Sequence, residues 1–317
     1  MQKGVVMFGS FVVDLTTRQK GLPLPGQTII GSSFQMGPGG KGSNQAVAAH
    51  RAGAEVTLIT KIGKDAFSNV ALDFYRKEGI STEHVLVAEE ESTGIALIMV
   101  DEDGGQNEIV VVPAACMHIA PEDIEKSRSA IESAKILLVQ MEINLDALCR
   151  IIEIAHQAGV FVILNPAPAA RIPDAVLAMV DVVTPNETEA EALTGVAVRS
   201  EADARRAAAY FLDRGVKNVV ITLGEMGAFA TDGKKSETLS RIPVEAIDST
   251  GAGDAFNGGF AAALAEGKDL FAALRFGNAT GALSVTKHGT APSMPRREEI
   301  LAVYRENYGD WAENSNP

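Results

Sequence analysis

The sequence predicts an α/β fold built on a mostly parallel sheet. From about residue 134 onward, short apolar runs alternate with helical stretches, and a similar alternation opens the chain. Continuous apolar strands of this kind are buried on both faces, as in a parallel sheet covered by helices. A chain of 317 residues is also long enough to bury a large core.

The individual elements can be placed along the chain from these runs. Strands are predicted at 4–9, 55–63, 135–140, 160–165, 180–185 and 218–224. Helices are predicted near 43–52, at 65–78 and 144–159, from Glu187, and from about 201 to 214. In the stretch 144–159, apolar residues recur at the spacing of one face of a helix. The order of elements is therefore that of repeated βαβ units.

Two stretches, at 11–35 and at about 83–113, interrupt the alternation. The second holds two β-rich runs separated by Asp103, Gly104 and Gly105, which is typical of a hairpin turn. We expect both stretches to form a small β structure that projects from the main sheet, within a single domain spanning 1–310. An irregular edge of one sheet is the alternative. Residues 311–317 are expected to form a polar tail.

Composition and charge exclude several classes of function. The formal net charge of -13 argues against a nucleic-acid partner, because phosphate neutralisation needs a basic surface. No window approaches the roughly 20 apolar residues of a membrane-spanning helix. Asp14 ends the N-terminal apolar run early, which favours a first strand over a signal peptide. We expect a cytoplasmic protein in which Cys116 and Cys149 are buried, reduced thiols.

The glycine-rich stretch MGPGGKGSNQA, residues 36–46, resembles a phosphate-binding loop only superficially. A Walker loop would need glycine at Gln35 and a hydroxyl at Gly42. Its glycines would instead let a ligand approach closely, while Lys41 and Asn44 offer hydrogen bonds suited to sugar hydroxyls. A tight loop with a solvent-facing lysine is the structural alternative.

A second glycine-rich stretch, DSTGAGDAFNGG at 248–259, predicts an anion site. Its Gly-Ala-Gly segment leads directly into an apolar helix, so free N–H groups and the positive end of the helix dipole converge there. Asp254, in the first turn, could accept the proton of a hydroxyl that attacks a phosphoryl group. A charge that merely stabilises the helix N-terminus is the alternative.

A third motif, TPNETEAE at 184–191, leaves two interpretations open. Asn186 and Glu189 project on one side of a helix start, where their oxygens could hold magnesium through water. A capping box, with Asn186 as the N-cap and Glu189 completing it, is equally natural.

In their number and order these motifs resemble the ribokinase branch of the family of sugar and nucleoside kinases that includes fructokinase and adenosine kinase. The resemblance covers nearly the whole chain and extends to LNPAPA (164–169), ITLGEMG (221–227) and VTKHGTAPSMP (285–295). It implies a three-layer αβα fold in which a β lid closes over the sugar and forms a homodimer interface. It also implies a ribokinase-like or deoxyribokinase-like enzyme that uses ATP, Mg²⁺ and K⁺.

The same resemblance implies roles for individual residues. Asp254 would be the catalytic base, beside an anion hole formed by the N–H groups of Thr250, Gly251, Ala252 and Gly253. The implied sugar ligands are Asp14, Gly40, Lys41, Asn44, Glu142 and Asp254. The implied ATP ligands are Asn186, Thr222, Gly224, Gly227, Gly253 and Asn278. Glu189 would assist Mg²⁺ through water, and a monovalent cation would lie at Asp248, Thr250, Ser284, Lys287, Gly289 and Ser293.

One position departs from the family pattern and bears on the substrate. In ribokinases the first strand ends in Gly-Ser-x-Asn-x-Asp, whose Asn and Asp bond sugar hydroxyls, whereas GSFVVD has Val12 in place of Asn and keeps Asp14. Valine cannot hydrogen-bond, so the pocket loses its means of rejecting sugars without that hydroxyl. We expect 2-deoxyribose or another altered pentose to compete with ribose for phosphorylation at O5.

Two other functions stay open at this point. One is a kinase of another furanose in the same family, either a fructose-type sugar or a nucleoside. The other is a non-catalytic regulator that binds sugar or nucleotide, against which the intact Asp254 argues.

Overall fold

The computed structural model describes residues 3–103 and 106–311. The strands are β1 (Lys3–Phe8), β2 (Val12–Gln19), β3 (Ser33–Gly39), β4 (Val56–Gly63), β5 (Val85–Ala88), β6 (Gly94–Asp101), β7 (Asn107–Val112), β8 (Ala134–Gln140), β9 (Phe161–Asn165), β10 (Val182–Val183), β11 (Asn218–Thr222), β12 (Ala228–Thr231) and β13 (Ser236–Leu239). The helices are α1 (Lys41–Arg51), α2 (Ser68–Glu78), α3 (Pro121–Ser133), α4 (Leu145–Gln157), α5 (Asp174–Leu177), α6 (Glu187–Thr194), α7 (Glu201–Leu212), α8 (Ala252–Ala265), α9 (Leu270–Ser284) and α10 (Arg297–Tyr308).

Within the described residues, a nine-stranded sheet runs in the order β13-β12-β11-β10-β9-β8-β1-β4-β5. Neighbours from β11 to β5 are parallel, and β12 and β13 add an antiparallel edge. Helices cover both faces. Along β1, Val5 and Met7 pack into one buried cluster with residues of α1, α8 and α9, while Val6 and Phe8 pack into another with residues of α3, α4 and α7. The predicted α/β fold class is confirmed.

A second, four-stranded sheet has the order β3-β2-β6-β7 and forms the predicted small β structure. β6 and β7 are antiparallel, as expected for the hairpin, although Gly104 and Gly105 of its predicted turn lie outside the described residues. The predicted bounds were partly wrong. Val85–Ala88 pairs in parallel with β4 and belongs to the large sheet, because β4, α2 and β5 complete one more βαβ unit. β3 instead extends the small sheet to Gly39, through a Met-Gly-Pro-Gly segment that sequence propensity does not favour as strand.

The structure also bears on several smaller expectations. The strand expected at 180–185 is only Val182–Val183, followed by Pro185, which has no N–H for a ladder. Both cysteines are free; Cys116 is buried, but Cys149 is only half-buried, so the expectation of two buried thiols was wrong for Cys149. In the part of the chain that is described, no helix is long and apolar enough to cross a lipid bilayer. Residues 312–317 of the predicted tail lie outside the described residues.

Candidate active site

A cleft of about 150 Å³ opens where three neighbouring parallel strands end. β9 ends at Asn165, β10 is followed by Thr184, and β11 ends at Thr222. In open α/β sheets, ligands bind outside the carboxyl ends of the strands. The cleft is lined by Lys41, Asn165, Ala167, Thr184, Asn186, Glu189, Thr222, Ser249, Gly251, Ala252, Gly253, Asp254 and Asn257.

A larger hollow of about 450 Å³ lies elsewhere, against α5 and α7. Its wall includes Arg214, whose guanidinium stacks 3.6 Å from the ring centroid of Tyr210 and lies 3.3 Å from Asp174. The charge of this arginine is therefore already balanced within the protein. Four charged or amide residues of the predicted site line the smaller cleft: Lys41, Asn186, Glu189 and Asp254.

The N-terminus of α8 forms one wall of that cleft. Gly251 caps the helix with a φ of 81°, a left-handed conformation that favours glycine. The N–H of Thr250 donates to a carboxylate oxygen of Asp248 at 3.0 Å, and the N–H of Ala252 donates to the preceding turn at 3.2 Å. Two of the four N–H groups of the predicted anion hole therefore already have protein acceptors. In the described chain only Gly251 and Gly253 of these four donate to no protein acceptor.

Asp254 is buried in the first turn of α8, at the back of the cleft. Its Oδ2 accepts a hydrogen bond from Asn44 Nδ2 at 2.9 Å, and its Oδ1 accepts one from Gln45 Nε2 at 2.9 Å. Both donors belong to α1, which packs against α8. The two amides hold the plane of the carboxylate and leave each oxygen a further lone pair for a ligand.

Lys41 supplies the cation of the cleft. It is the first residue of α1, and the carboxylate of Asp254 raises the pKa of its ammonium group. Its backbone N–H donates to Glu142 Oε2 at 3.0 Å, and Glu142 also accepts a hydrogen bond from the hydroxyl of Ser10. Lys41 is half-buried and lines the cleft, while Glu142 fixes the start of α1. Gly40 caps that helix with a φ of 88°.

Asp14 reaches the same region from the small sheet. Its pKa is raised from the ordinary 3.8 to about 6, mainly by burial and to a smaller extent by the negative charges of Asp254 and Glu142. Thr290 Oγ1 opposes this by donating to Asp14 Oδ2 at 3.0 Å. On β3, Gly39 pairs with Val12, and only glycine fits there because a Cβ at residue 39 would overlap the Asp14 carboxylate.

Val12 is buried two residues before Asp14 on β2. Alternate residues of a strand share a face, so Val12 and Asp14 lie on the same face of the small sheet.

Asn186 and Glu189 form the capping box of the second interpretation and also line the cleft. Asn186 Oδ1 accepts from the N–H of Glu189 at 2.7 Å, and Glu189 Oε2 accepts from the N–H of Asn186 at 2.9 Å, which completes a capping box on α6. Both residues also line the cleft, beside Thr222 at the end of β11. Burial raises the pKa of the Glu189 carboxyl.

Three of the predicted ATP ligands lie outside the lining of the cleft. Gly224 and Gly227 flank the short turn that follows β11. Asn278, on α9, donates from Nδ2 to the Ser240 carbonyl at 3.1 Å and to the Tyr308 hydroxyl at 2.7 Å. Its Oδ1 is the atom left for a ligand.

The two loops of the predicted monovalent-cation site lie against each other. Asp248 Oδ2 accepts from the N–H of Gly289 at 3.0 Å. Burial raises the pKa of Asp248, but the hydrogen bonds from Gly289 and Thr250 outweigh it, so the pKa lies below its ordinary value. The polar side chains of the other ligands have protein partners: Lys287 donates to Glu299, Ser284 to the Gly281 carbonyl and Ser293 to the Thr290 carbonyl. Backbone carbonyls are thus the groups left for a cation.

The residues predicted from sequence omit a set of buried amides behind Asp254. Gln45 Nε2 also donates to Asn165 Oδ1 at 3.0 Å, and Gln140 Nε2 donates to Gln45 Oε1 at 2.7 Å. The sequence could have indicated these amides, because Gln140 and Asn165 end two apolar strands and Gln45 precedes the apolar run of α1. Amides at such buried positions need hydrogen-bonding partners.

The chain matches the model of the pfkB family carbohydrate kinases over residues 2–297. It is 42% identical to ribokinase of Haemophilus influenzae over 301 residues, 95% of this chain and 98% of the relative. It is 36% identical to deoxyribokinase of Salmonella typhimurium, over 93% of this chain and 97% of the relative. The structure of Arabidopsis thaliana ribokinase complexed with ribose and ATP has a TM-score of 0.90 and 33% identity, covering 96% of this chain and 99% of that chain.

Proposed function

Because the chain belongs to the pfkB family of carbohydrate kinases, we propose that it transfers the terminal phosphoryl group of ATP to O5 of a pentose, either ribose or 2-deoxyribose. Relatives over nearly the full length carry the names ribokinase and deoxyribokinase, and the similar Arabidopsis structure holds ribose and ATP. The observation that carries the proposal is the pairing of a buried carboxylate, Asp254, with unoccupied helix N–H donors in one cleft.

Asp254 acts on the proton in this mechanism. As O5 attacks the terminal phosphorus, the bond from O5 to phosphorus forms and the bond from phosphorus to the bridging oxygen of ADP breaks. The proton of the O5 hydroxyl passes to the Asp254 carboxylate. Asn44 and Gln45 hold the two oxygens of that carboxylate in place, which supports a fixed direction for the transfer.

Charge that develops on the transferred group meets donors that are already oriented. The N–H groups of Gly251 and Gly253 and the positive end of the α8 dipole would face the phosphoryl oxygens. Lys41 adds a full positive charge on the opposite wall of the cleft. Closure of the small sheet over the sugar would exclude the water that otherwise accepts the phosphoryl group.

The nucleotide side of the cleft suits ATP and Mg²⁺. Thr222, Asn186 and Gly253 line it, with Gly224, Gly227 and Asn278 proposed to contact the rest of the nucleotide. One oxygen of Glu189 is held by the α6 cap, and the other oxygen is available in the cleft. A single carboxylate acting through water fits the preference of Mg²⁺ for retaining its waters. The ion would neutralise phosphate charge there.

The sugar side of the cleft sets the choice of pentose. Asp14, Gly40, Lys41, Asn44 and Glu142 are the proposed ligands of the sugar hydroxyls. Val12 shares the β2 face of Asp14 and has no hydrogen-bonding group, so a sugar hydroxyl opposite it forms no hydrogen bond there. We therefore expect 2-deoxyribose to compete with ribose.

A monovalent cation, K⁺, is proposed for the paired loops around Asp248 and Gly289. Thr250, Ser284, Lys287 and Ser293 complete the proposed site, through backbone carbonyls. Carbonyl oxygens have two lone pairs, so those that already accept one hydrogen bond can still bind a cation. Such an ion would order the loop that begins α8.

A homodimer through the small sheet is proposed from its surface. Ile109, Val110, Val111 and Val112 of β7 are all exposed, as are Phe34 and Met36 of β3. Adjacent residues of β7 point to opposite faces, so one apolar face can cover the sugar while the other meets a partner. The cytoplasmic location, and the absence of nucleic-acid and membrane partners, stay predictions.

The test is phosphorylation of ribose, 2-deoxyribose, fructose and a nucleoside, in the parent and in Asp254→Asn. We expect the parent to favour the two pentoses, and the variant to lose roughly a thousandfold or more in kcat while still binding sugar by calorimetry. Turnover near that of the parent would remove Asp254 from the role of base. A parent that is inactive on every sugar would refute the kinase proposal.

A further inference from the structure

A buried chain of side-chain amides ends on the carboxylate proposed as the base. Gln45 and Gln140 are fully buried and Asn165 is 5% exposed. Gln140 donates to Gln45 Oε1 at 2.7 Å and to Met7 Sδ at 3.1 Å, and Gln45 donates to Asn165 Oδ1 at 3.0 Å and to Asp254 Oδ1 at 2.9 Å. An amide nitrogen carries two N–H donors, so each pair of bonds can form at the same time.

The orientation of each side-chain amide in this series is fixed by the carbonyl of Thr184 at one end. Asn165 Nδ2 lies 2.9 Å from the carbonyl of Thr184, an atom that can only accept. The side-chain oxygen of Asn165 must therefore face Gln45, and the amide nitrogen of Gln45 must donate to it. The oxygen of Gln45 then faces Gln140, which must in turn offer its nitrogen. Asp254 Oδ1 consequently meets an N–H donor of Gln45.

We propose that Gln45 is a positioning residue for the phosphoryl transfer, holding Asp254 Oδ1 through this amide chain. The inference rests on the proposed role of Asp254 as the base. Asn44 restrains the other oxygen, and its own Oδ1, which has no partner among the described residues, is left for the sugar proposed to bind there. Gln45 has no exposed surface and no proposed contact with the sugar. Its bond to Asp254 Oδ1 therefore serves only to orient the carboxylate.

The expected effect falls on the chemical step. Gln45→Met keeps the length and burial of the side chain but removes its donors to Asp254 and Asn165. A small misplacement of a catalytic group lowers turnover by up to about a hundredfold, so we expect kcat to fall roughly ten- to a hundredfold. Because Gln45 does not face the sugar, we expect the dissociation constant of the sugar to change less than about twofold. Gln19→Met is the matched control, since Gln19 is a buried glutamine on β2 whose Nε2 has no partner among the described residues.

A double-mutant cycle with Asp254→Asn separates positioning from general loss of structure. If Gln45 acts through Asp254, adding Gln45→Met to Asp254→Asn lowers residual kcat no further, measured in single turnovers at high enzyme concentration. If the fold losses in kcat of the two single variants multiply in the double variant, the inference is overturned. A kcat for Gln45→Met within about threefold of the parent would also overturn it. If Gln45→Met does not fold, Gln45→Asn serves instead, because its shorter amide cannot reach Gln140 and Asp254 together. A parent without kinase activity would refute the proposed function itself, and the inference with it.

Discussion

Replacing Thr290 by valine tests whether sugar binding depends on an ionised Asp14. The substitution keeps the side-chain shape and removes the hydroxyl that donates to Asp14 Oδ2 at 3.0 Å. The same hydroxyl lies 3.2 Å from the Pro38 carbonyl, but it has one hydrogen, and the charged carboxylate at the shorter distance is the stronger acceptor. Thr280→Val is the matched control, because it removes a buried hydroxyl that donates to the Phe276 carbonyl at 2.7 Å.

The magnitude follows from the pKa of Asp14. Its rise from 3.8 to about 6 corresponds to roughly 3 kcal/mol against the ionised form. Loss of a hydrogen bond to a carboxylate costs about 1.5 kcal/mol, which raises the pKa by roughly one further unit. At pH 6.5 the ionised fraction would then fall about threefold, and sugar affinity with it. Because the pKa of Asp14 is raised in the folded state, its contribution to stability is fully present below pH 3.8 and is lost as the pH rises through about 6. Thr290→Val also lacks the hydrogen bond to the ionised carboxylate, so its free energy of unfolding falls further above that pH.

Calorimetric titration of the sugar between pH 5 and 8, without ATP, measures the effect. We expect the affinity of the parent and of Thr280→Val to decline as the pH falls through about 6, and the decline of Thr290→Val to begin about one unit higher. An affinity that is independent of pH would show that the sugar does not need the Asp14 carboxylate. An unchanged midpoint in Thr290→Val would refute the role of the hydroxyl.

Three further predictions follow from single residues. Gly253→Ala should fold normally, because a Cβ there meets open space, but should lower kcat roughly a hundredfold by crowding the phosphoryl oxygens; parent-like turnover would contradict the anion hole. Val12→Asn should raise the ratio of kcat/KM for ribose over 2-deoxyribose by about tenfold or more, and an unchanged ratio would remove Val12 from substrate choice. Val110→Lys places a charge on the exposed face of β7 and should yield monomers in sedimentation experiments, while a dimer like that of the parent would exclude that face from the interface.

Much of the fold follows from patterns that are local in the sequence. Apolar runs and helical spacing indicate the parallel sheet, because burial of both faces requires continuous apolar strands. Gly251 and the residues after it predicted a helix N-terminus with free donors, because a helix start always leaves N–H groups without intrahelical partners. The number of donors could not be predicted, since the N–H groups of Thr250 and Ala252 find acceptors that depend on the path of the preceding loop.

The sequence by itself therefore determined the repeated βαβ pattern of the large sheet, the family resemblance and the residue types available for chemistry. Only the tertiary structure decided which of these residues contact one another. Gln45 and Asp254 are 209 residues apart, and Thr290 and Asp14 are 276 apart, yet each pair forms a hydrogen bond. No local spacing encodes such contacts, because they depend on how α1 packs against α8 and on where the small sheet meets the loop after α9. The environment of the site, including the raised pKa of Asp14, comes from that packing.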